Sequence, residues 1–231
     1  MEEHNQIKNY KILYFQFFFI CLFFLHLGSI YADLSWLRIA TKPLICSSLL
    51  MSLVLFKKLN SKYQRLIAVG LFFGLLGDVF LMLADQFMLG LLSFLLGHLC
   101  YIIAFLKQKT KINLLKDIPA LLLLGLLIAF SYYFYGILSP SLGPLKIPVL
   151  LYVVTISAMC YFAFRRSGSR FTWNFLTGFI GSVLFIVSDS VLALNKFVAY
   201  IPTSGLVIMS TYMLAQYFIY TTALSPSTAK D

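Results

Sequence analysis

The chain has 231 residues, of which 61% are hydrophobic and only 11% charged, with a net charge of +10 and a mean hydropathy of +0.90. Soluble domains carry about a quarter charged residues, so this composition excludes an ordinary globular domain and points to a membrane protein. The positive charge falls in short connections between apolar runs, so it reports topology and anionic lipid contact, and no nucleic-acid partner is expected.

Eight apolar runs approach the roughly 20 residues that a helix needs to cross about 30 Å of hydrocarbon. They cover residues 12–31, 43–57, 65–84, 87–106, 118–138, 147–164, 173–194 and 199–222. The expected fold is all-α: one integral membrane domain over 1–231, a bundle of eight transmembrane helices with both termini cytoplasmic.

The first run follows Glu2 and Glu3 and lacks a good cleavage context, so it reads as a helix rather than a secretory signal. Its Phe-rich "YFQFFFICLFF" reads as lipid-facing. The second run is short, opens at Thr41, Lys42 and Pro43, and has a possible earlier start near Ser35. Lys57, Lys58, Lys62 and Arg65 join the second run to the third, Lys107, Lys109, Lys111 and Lys116 the fourth to the fifth, and Arg165, Arg166 and Arg170 the sixth to the seventh. With Lys8, Lys11 and Lys230 they put most of the 18 basic residues on one side, leaving Arg38, Lys42, Lys146 and Lys196 on the other. That asymmetry is the positive-inside pattern. Cys21, Cys46, Cys100 and Cys160 sit inside apolar runs without paired spacing and read as small buried hydrophobes.

The third run holds a carboxylate, Asp78, and the seventh another, Asp189. A charged Asp near mid-membrane costs about 2.5–3.5 kcal/mol on insertion scales, which makes both candidates for function. Their surroundings share a pattern. Gly70, Gly74, Gly77, Asp78 and Leu81 have the same offsets as Gly90, Phe94, Gly97, His98 and Tyr101, and as Gly181, Phe185, Ser188, Asp189 and Leu192. At 3.6 residues per turn each set is a stripe of small residues with one ionisable side chain, suited to close helix packing. The repetition in the third and seventh helices also suggests duplication of a four-helix unit. Tyr212 and Gln216, four apart on the eighth helix, are expected near the same half of the membrane.

Two carboxyl groups in a low-dielectric pocket titrate apart, so one can donate a proton while the other acts as base. That suits a bond whose cleavage starts with protonation, such as an ether or enol ether. A serine-hydrolase elbow and a Gly-rich phosphate loop are not found. A metal held by His26, His98 and the aspartates is a lesser alternative; no metal and no cofactor is expected.

Five short motifs lie in order on successive expected helices: Thr41–Pro43, "GD" at Gly77–Asp78, "GHLCY" at Gly97–Tyr101, "SD" at Ser188–Asp189, and "YMLAQ" at Tyr212–Gln216. Together they resemble the YhhN-type lysoplasmalogenases, eight-helix membrane enzymes, over almost the whole chain from Thr41. The resemblance implies hydrolysis of the vinyl ether of a lysoplasmalogen, a lysophospholipid, to a fatty aldehyde and glycerophosphoethanolamine or glycerophosphocholine. Asp78 and Asp189 are then the catalytic acid and base, in either order, with His98 relaying a proton or tuning Asp78. Lys42, Tyr101, Tyr212 and Gln216 are expected to bind substrate, and Asn195 and Lys196 to touch its headgroup. A chain this short suits a bacterial inner membrane. The competing reading is a proton-coupled carrier, whose expected mark is a helix broken at the midplane.

Overall fold

The structure, a computed structural model, describes residues 2–57, 59–108, 117–166 and 172–224, with side chains described from residue 12 onward except that of residue 57. Lys58, Lys109, Lys111, Lys116, Arg170 and Lys230 lie outside these residues, as do the side chains of Lys8, Lys11 and Lys57.

Among the described residues the chain forms eight long helices and no strand: α1 Glu2–Tyr31, α2 Ser35–Lys57, α3 Lys62–Met82, α4 Phe87–Lys107, α5 Ile118–Leu138, α6 Lys146–Arg165, α7 Trp173–Phe197 and α8 Ser204–Leu224. Side-chain caps set several of the starts. Ser61 accepts from the Gln64 backbone N–H while Gln64 reaches back to the Ser61 N–H, the reciprocal box that opens α3. Asp117 caps α5 and Thr172 caps α7. Two one-turn 3₁₀ segments, Ser139–Ser141 and Gly143–Leu145, carry α5 into α6.

The helix boundaries differ from the sequence reading at several ends: α1 already runs from Glu2, and α8 starts at Ser204 rather than at 199. α2 starts at Ser35, so Lys42 and Pro43 lie inside it rather than at its head. Pro43 has no N–H to give the carbonyl four residues back, which locally weakens α2 beside Lys42. α7 runs on to Phe197, three residues beyond the expected end.

Seven helices, α1 to α7, are long and apolar enough to cross a membrane. α8 has the length, 21 residues, but carries Tyr212, Gln216, Tyr220 and Thr222 in its span. All four are buried inside the bundle. Its polar side chains therefore face protein, where they find partners, and α8 completes a polytopic α-helical membrane fold.

The stripes of α3 and α4 interlock antiparallel, Tyr101 filling the space over Gly70, Phe94 that over Gly77 and Leu81 that over Gly90. A Cβ on Gly70 would stand 2.2 Å from the Tyr101 ring, so only glycine admits that ring. The α7 stripe packs instead on α8, where Gly181 meets Ile219 and the Ala215 carbonyl, and Ser188 donates to the Ile208 carbonyl at 3.1 Å. Phe185 of that stripe reaches across to the rings of His98 and Tyr101. The two closest helix pairings, α3 with α4 and α7 with α8, are equivalent in the two halves.

α1 is only partly lipid-facing. Phe17, Phe18 and Phe24 are exposed, while Phe19 is buried and stacks on Tyr217 of α8 at 5.0 Å. At the end of the bundle where α3 begins and α6 finishes, Arg166 is buried. It donates to Tyr63 Oη at 2.8 Å and to Asn174, and its guanidinium lies over the rings of Tyr63 and Phe105. Arg165 is also buried, with Asp117 at 3.8 Å. These two arginines tie helices together rather than facing lipid.

Candidate active site

The polar residues singled out above gather at the opposite end, where α3, α5 and α7 finish and α2, α4, α6 and α8 begin. Asp78, 1% exposed, accepts a 2.8 Å bond from the Tyr212 hydroxyl. Tyr212 spends its only proton there, so its oxygen is the acceptor for Gln216 Nε2 at 3.2 Å and for the Cys46 thiol at 3.1 Å. Gln216 Oε1 accepts from the Tyr101 hydroxyl at 2.7 Å. A directed chain, Tyr101 to Gln216 to Tyr212 to Asp78, thus links α4, α8 and α3. Gly74 makes room for it, since a Cβ there would lie 2.6 Å from Gln216 Nε2.

Asp189 has a separate partner, accepting at 2.6 Å from Tyr152 of α6. His98 lies between the two arrangements. Its ring meets Tyr152 edge-on at 5.4 Å and Phe185 at 4.9 Å, and Phe185 in turn meets Tyr212 at 5.7 Å. Both His98 ring nitrogens are buried without a hydrogen-bond partner among the described residues. His98 therefore makes no hydrogen bond to either aspartate. Among the described residues no cluster of three or more His, Cys, Asp or Glu side chains is placed to hold a metal.

Two cavities adjoin these groups. The first is an apolar chamber lined by α3 to α7, including Leu81, Leu91, Phe94, Phe134, Tyr152, Asp189 and Leu192, with a free volume of about 40 Å³. The second is a wider mouth of about 390 Å³ whose wall includes His26, Ser35, Arg38, Lys42, Met82, Leu192 and Met209. Leu192 belongs to both walls. Asp189 lies three residues before Leu192, one turn beneath the shared wall. Asp78 lies four residues before Met82, and Tyr212 three after Met209, which puts their pair one turn, about 5–6 Å, below the floor of the mouth. The two carboxylates do not line one cavity: Asp189 lines the chamber, while Asp78 lines neither the chamber nor the mouth and bonds Tyr212, whose ring meets Phe94 of the chamber wall at 5.8 Å.

Lys42, in the mouth, is one turn above Cys46 on α2. Asn195 and Lys196 are placed elsewhere. Asn195 accepts from the Ile201 N–H at 2.8 Å and so folds the α7–α8 connection. Lys196 lies over the Phe87 ring at 5.4 Å. Neither lines the mouth. Sequence reasoning passed over Tyr152, the partner of Asp189, because a tyrosine within an apolar run of α6 has no spacing to mark it. It also passed over Arg38 as a wall residue of the mouth.

Fold and site together define a polytopic helical membrane protein with two enclosed carboxylates, each served by a tyrosine, at the junction of a cationic mouth and an apolar chamber. Residues 37–223 match the YhhN family, and the chain belongs to it. It is similar to the bovine lysoplasmalogenase TMEM86A, 34% identical over 68% of this chain and 65% of the relative. It is also similar to the human lysoplasmalogenase TMEM86A (37% identical, 46% of each chain) and the mouse lysoplasmalogenase TMEM86B (36%; 46% of this chain, 43% of the relative). The matched segments thus span from under half to about two thirds of those relatives' own lengths. No solved structure matches.

Proposed function

We propose that this protein is a lysoplasmalogenase, hydrolysing the vinyl ether of a lysoplasmalogen to a fatty aldehyde and a glycerophospho-alcohol. The observation that supports the reading is a pair of carboxylates near the boundary between a cationic mouth and an apolar chamber: Asp189 lines the chamber, and Asp78 lies about one turn below the mouth. A lysoplasmalogen has the same polarity order: a phosphate headgroup, a glycerol, the vinyl ether, then hydrocarbon. With the headgroup in the mouth, the lipid chain passes the Leu192 wall and brings the reacting bond to Asp189 in the chamber. The names borne by the relatives support the same substrate class.

The geometry favours a division of labour. The β-carbon of the vinyl ether lies on the hydrocarbon side, where Asp189 lines the chamber. Protonated Asp189 gives its proton to that carbon, forming a C–H bond and leaving an oxocarbenium ion at the α-carbon. Asp78, one turn below the mouth floor, stabilises the cation through its charge and takes up, by way of the Tyr212 hydroxyl that bonds it, the proton released by the water that adds to the α-carbon. The resulting hemiacetal collapses to aldehyde and alcohol. Tyr152 and Tyr212 hold the two carboxyl groups in place, and the Tyr101–Gln216 pair holds Tyr212. His98, packed edge-on against Tyr152, helps to hold that tyrosine in place.

The chamber's free volume of 40 Å³ corresponds to roughly three waters at about 10–15 Å³ each, too little for a long alkenyl chain. The tail therefore continues outward. A groove between α4 and α6, lined by Met88, Leu91, Leu92, Leu95, Ile147, Pro148 and Leu151, shares Leu91 with the chamber and offers that path. The split of basic residues supports cytoplasmic termini, which puts the mouth on the opposite face.

The test is aldehyde release from lysoplasmalogen by purified Asp78→Asn and Asp189→Asn, against the saturated ether analogue as blank. General acid–base groups contribute about 10²–10⁴-fold, so each variant should lose that much turnover while still inserting and folding. Near-normal release from both variants would return the aspartates to structural roles and end the two-carboxylate mechanism.

A further inference from the structure

The mouth carries an order of charges that the mechanism above does not use. Asp33 occupies the turn between α1 and α2 and pairs with Arg38 at 2.9 Å; Arg38 also donates to Ser35 Oγ at 2.8 Å. Arg38 and Lys42 are four residues apart on α2, hence on one face, about 6 Å along the axis. Both line the mouth. Reading inward, the sequence is a carboxylate, a guanidinium, an ammonium, and then the enclosed Asp78. The outer acid is open to water, its side chain 87% exposed, and Arg38 is 35% exposed.

We propose that Asp33, Arg38 and Lys42 form a receptor for a zwitterionic phosphoethanolamine headgroup and select it over phosphocholine. This rests on the lipid-hydrolase reading and adds the headgroup to it. A phosphoethanolamine group is also ordered along its length: its ammonium is outermost, and its phosphate lies inward, next to the glycerol. Laid along the face of α2, the phosphate falls between Arg38 and Lys42, and the ammonium reaches Asp33. Arg38 has five N–H donors, so it can bind a phosphate oxygen while keeping Asp33 in place. Asp33 then directs its free oxygen to the ammonium, and the glycerol is left pointing toward Asp78.

The same geometry disfavours choline. A trimethylammonium has no N–H to donate, and it is held best by the faces of aromatic rings. The wall of the mouth itself has His26 as its one ring, and although Tyr31 and Trp36 are exposed on either side of Asp33 in the chain, the carboxylate there favours a headgroup with N–H donors. The His26 ring is engaged from its edge. Thr41 gives its proton to the Leu37 carbonyl at 2.6 Å, so the 2.7 Å contact to its oxygen is a donation from His26 Nδ1. An ethanolamine ammonium keeps its hydrogen bonds at this rim, and a choline group does not.

The experiment uses the full chain in detergent micelles and saturated ether analogues of the lysolipid, which bind without being cleaved. Dissociation constants are measured for the ethanolamine, choline and bare phosphate headgroups. Wild type should bind the ethanolamine analogue more tightly than the choline one. Asp33→Asn should erase that preference, weakening the ethanolamine analogue by about two- to fivefold, as suits an exposed ion pair, and leaving the phosphate analogue unchanged. Asparagine suits the positive φ of 52° at this turn, so the local fold survives the change. Lys42→Gln should weaken all three analogues alike. Equal binding of ethanolamine and choline analogues by wild type would overturn the receptor while leaving the hydrolase reading in place, as would an Asp33→Asn loss that is the same for every headgroup. Failure of all three lipids to bind wild type would overturn both.

Discussion

Tyr212→Phe deletes a single oxygen at which three helices meet, and keeps the ring that packs on Phe94 and Phe185. Three contacts disappear: the bond to Asp78 at 2.8 Å, the one from Gln216 at 3.2 Å and the one from Cys46 at 3.1 Å. Hydrogen bonds between membrane helices average about 0.6 kcal/mol each, and two of the three are interhelical, so the loss of folding stability should be about 1–2 kcal/mol. The effect on turnover should be larger. A hydrogen bond to a charged group contributes about 1.5–3 kcal/mol. If Asp78 relies on this donor while it holds the oxocarbenium ion and takes the water's proton, turnover should fall about 10- to 100-fold. KM should move little, because Tyr212 lies a turn below the mouth and lines none of it. The assay is initial-rate aldehyde release across a range of lysoplasmalogen concentrations, with thermal stability measured in parallel. Tyr63→Phe is the control. It removes a buried hydroxyl of similar connectivity, bonded to Thr222 and Arg166 at the far end of the bundle, and should cost stability without altering turnover. A Tyr212→Phe enzyme with wild-type turnover, or one whose whole deficit is in KM, would refute the assignment of Tyr212 to Asp78.

Three further outcomes are expected. In deuterium oxide, the aldehyde should carry deuterium on the carbon next to its carbonyl, seen by mass spectrometry after rapid trapping, and turnover should slow; aldehyde without that label would rule out protonation of the β-carbon. Gly70→Ala should lower thermal stability by an overpacking cost of about 1–3 kcal/mol, because the Cβ collides with the Tyr101 ring, whereas Gly136→Ala, which meets nothing within 4 Å, should be tolerated. A reporter fused after Asp231 should read as cytoplasmic, and an exported reading would reverse the side on which the mouth opens.

The helices were legible because hydrophobic runs report lipid directly, and the stripes because close approach demands small residues at fixed offsets. Asp78 and Asp189 stood out for the same reason, as charges where the solvent cannot hold them. What the stripes did not reveal was their partners. The offsets of α3, α4 and α7 are alike, but only the first two interlock, while the third packs on α8. Which stripe meets which depends on connections and crossing geometry that periodicity does not encode. Tyr152 was hidden similarly: its importance comes from standing opposite Asp189 on another helix, and nothing near it in the chain says so. Pro43 left the start of α2 open. Proline is common in the first turn of a helix, so the run could begin there or near Ser35, and the helix takes the earlier start.

The low apolarity of α8 bears on how the protein is made. Of the eight helices it leaves the ribosome last, and it is the one whose own composition least favours the bilayer. The groups that make it acceptable there are already in the membrane when it arrives: Asp78 and Cys46 for Tyr212, Tyr101 for Gln216, Ser52 for Tyr220. Their bonds draw α8 into its place, and the same bonds give Asp78 its tyrosine. Integration of the final segment and completion of the candidate site are thus one event. A nascent chain stalled before Ser204 would lack the Tyr212 hydroxyl that bonds Asp78.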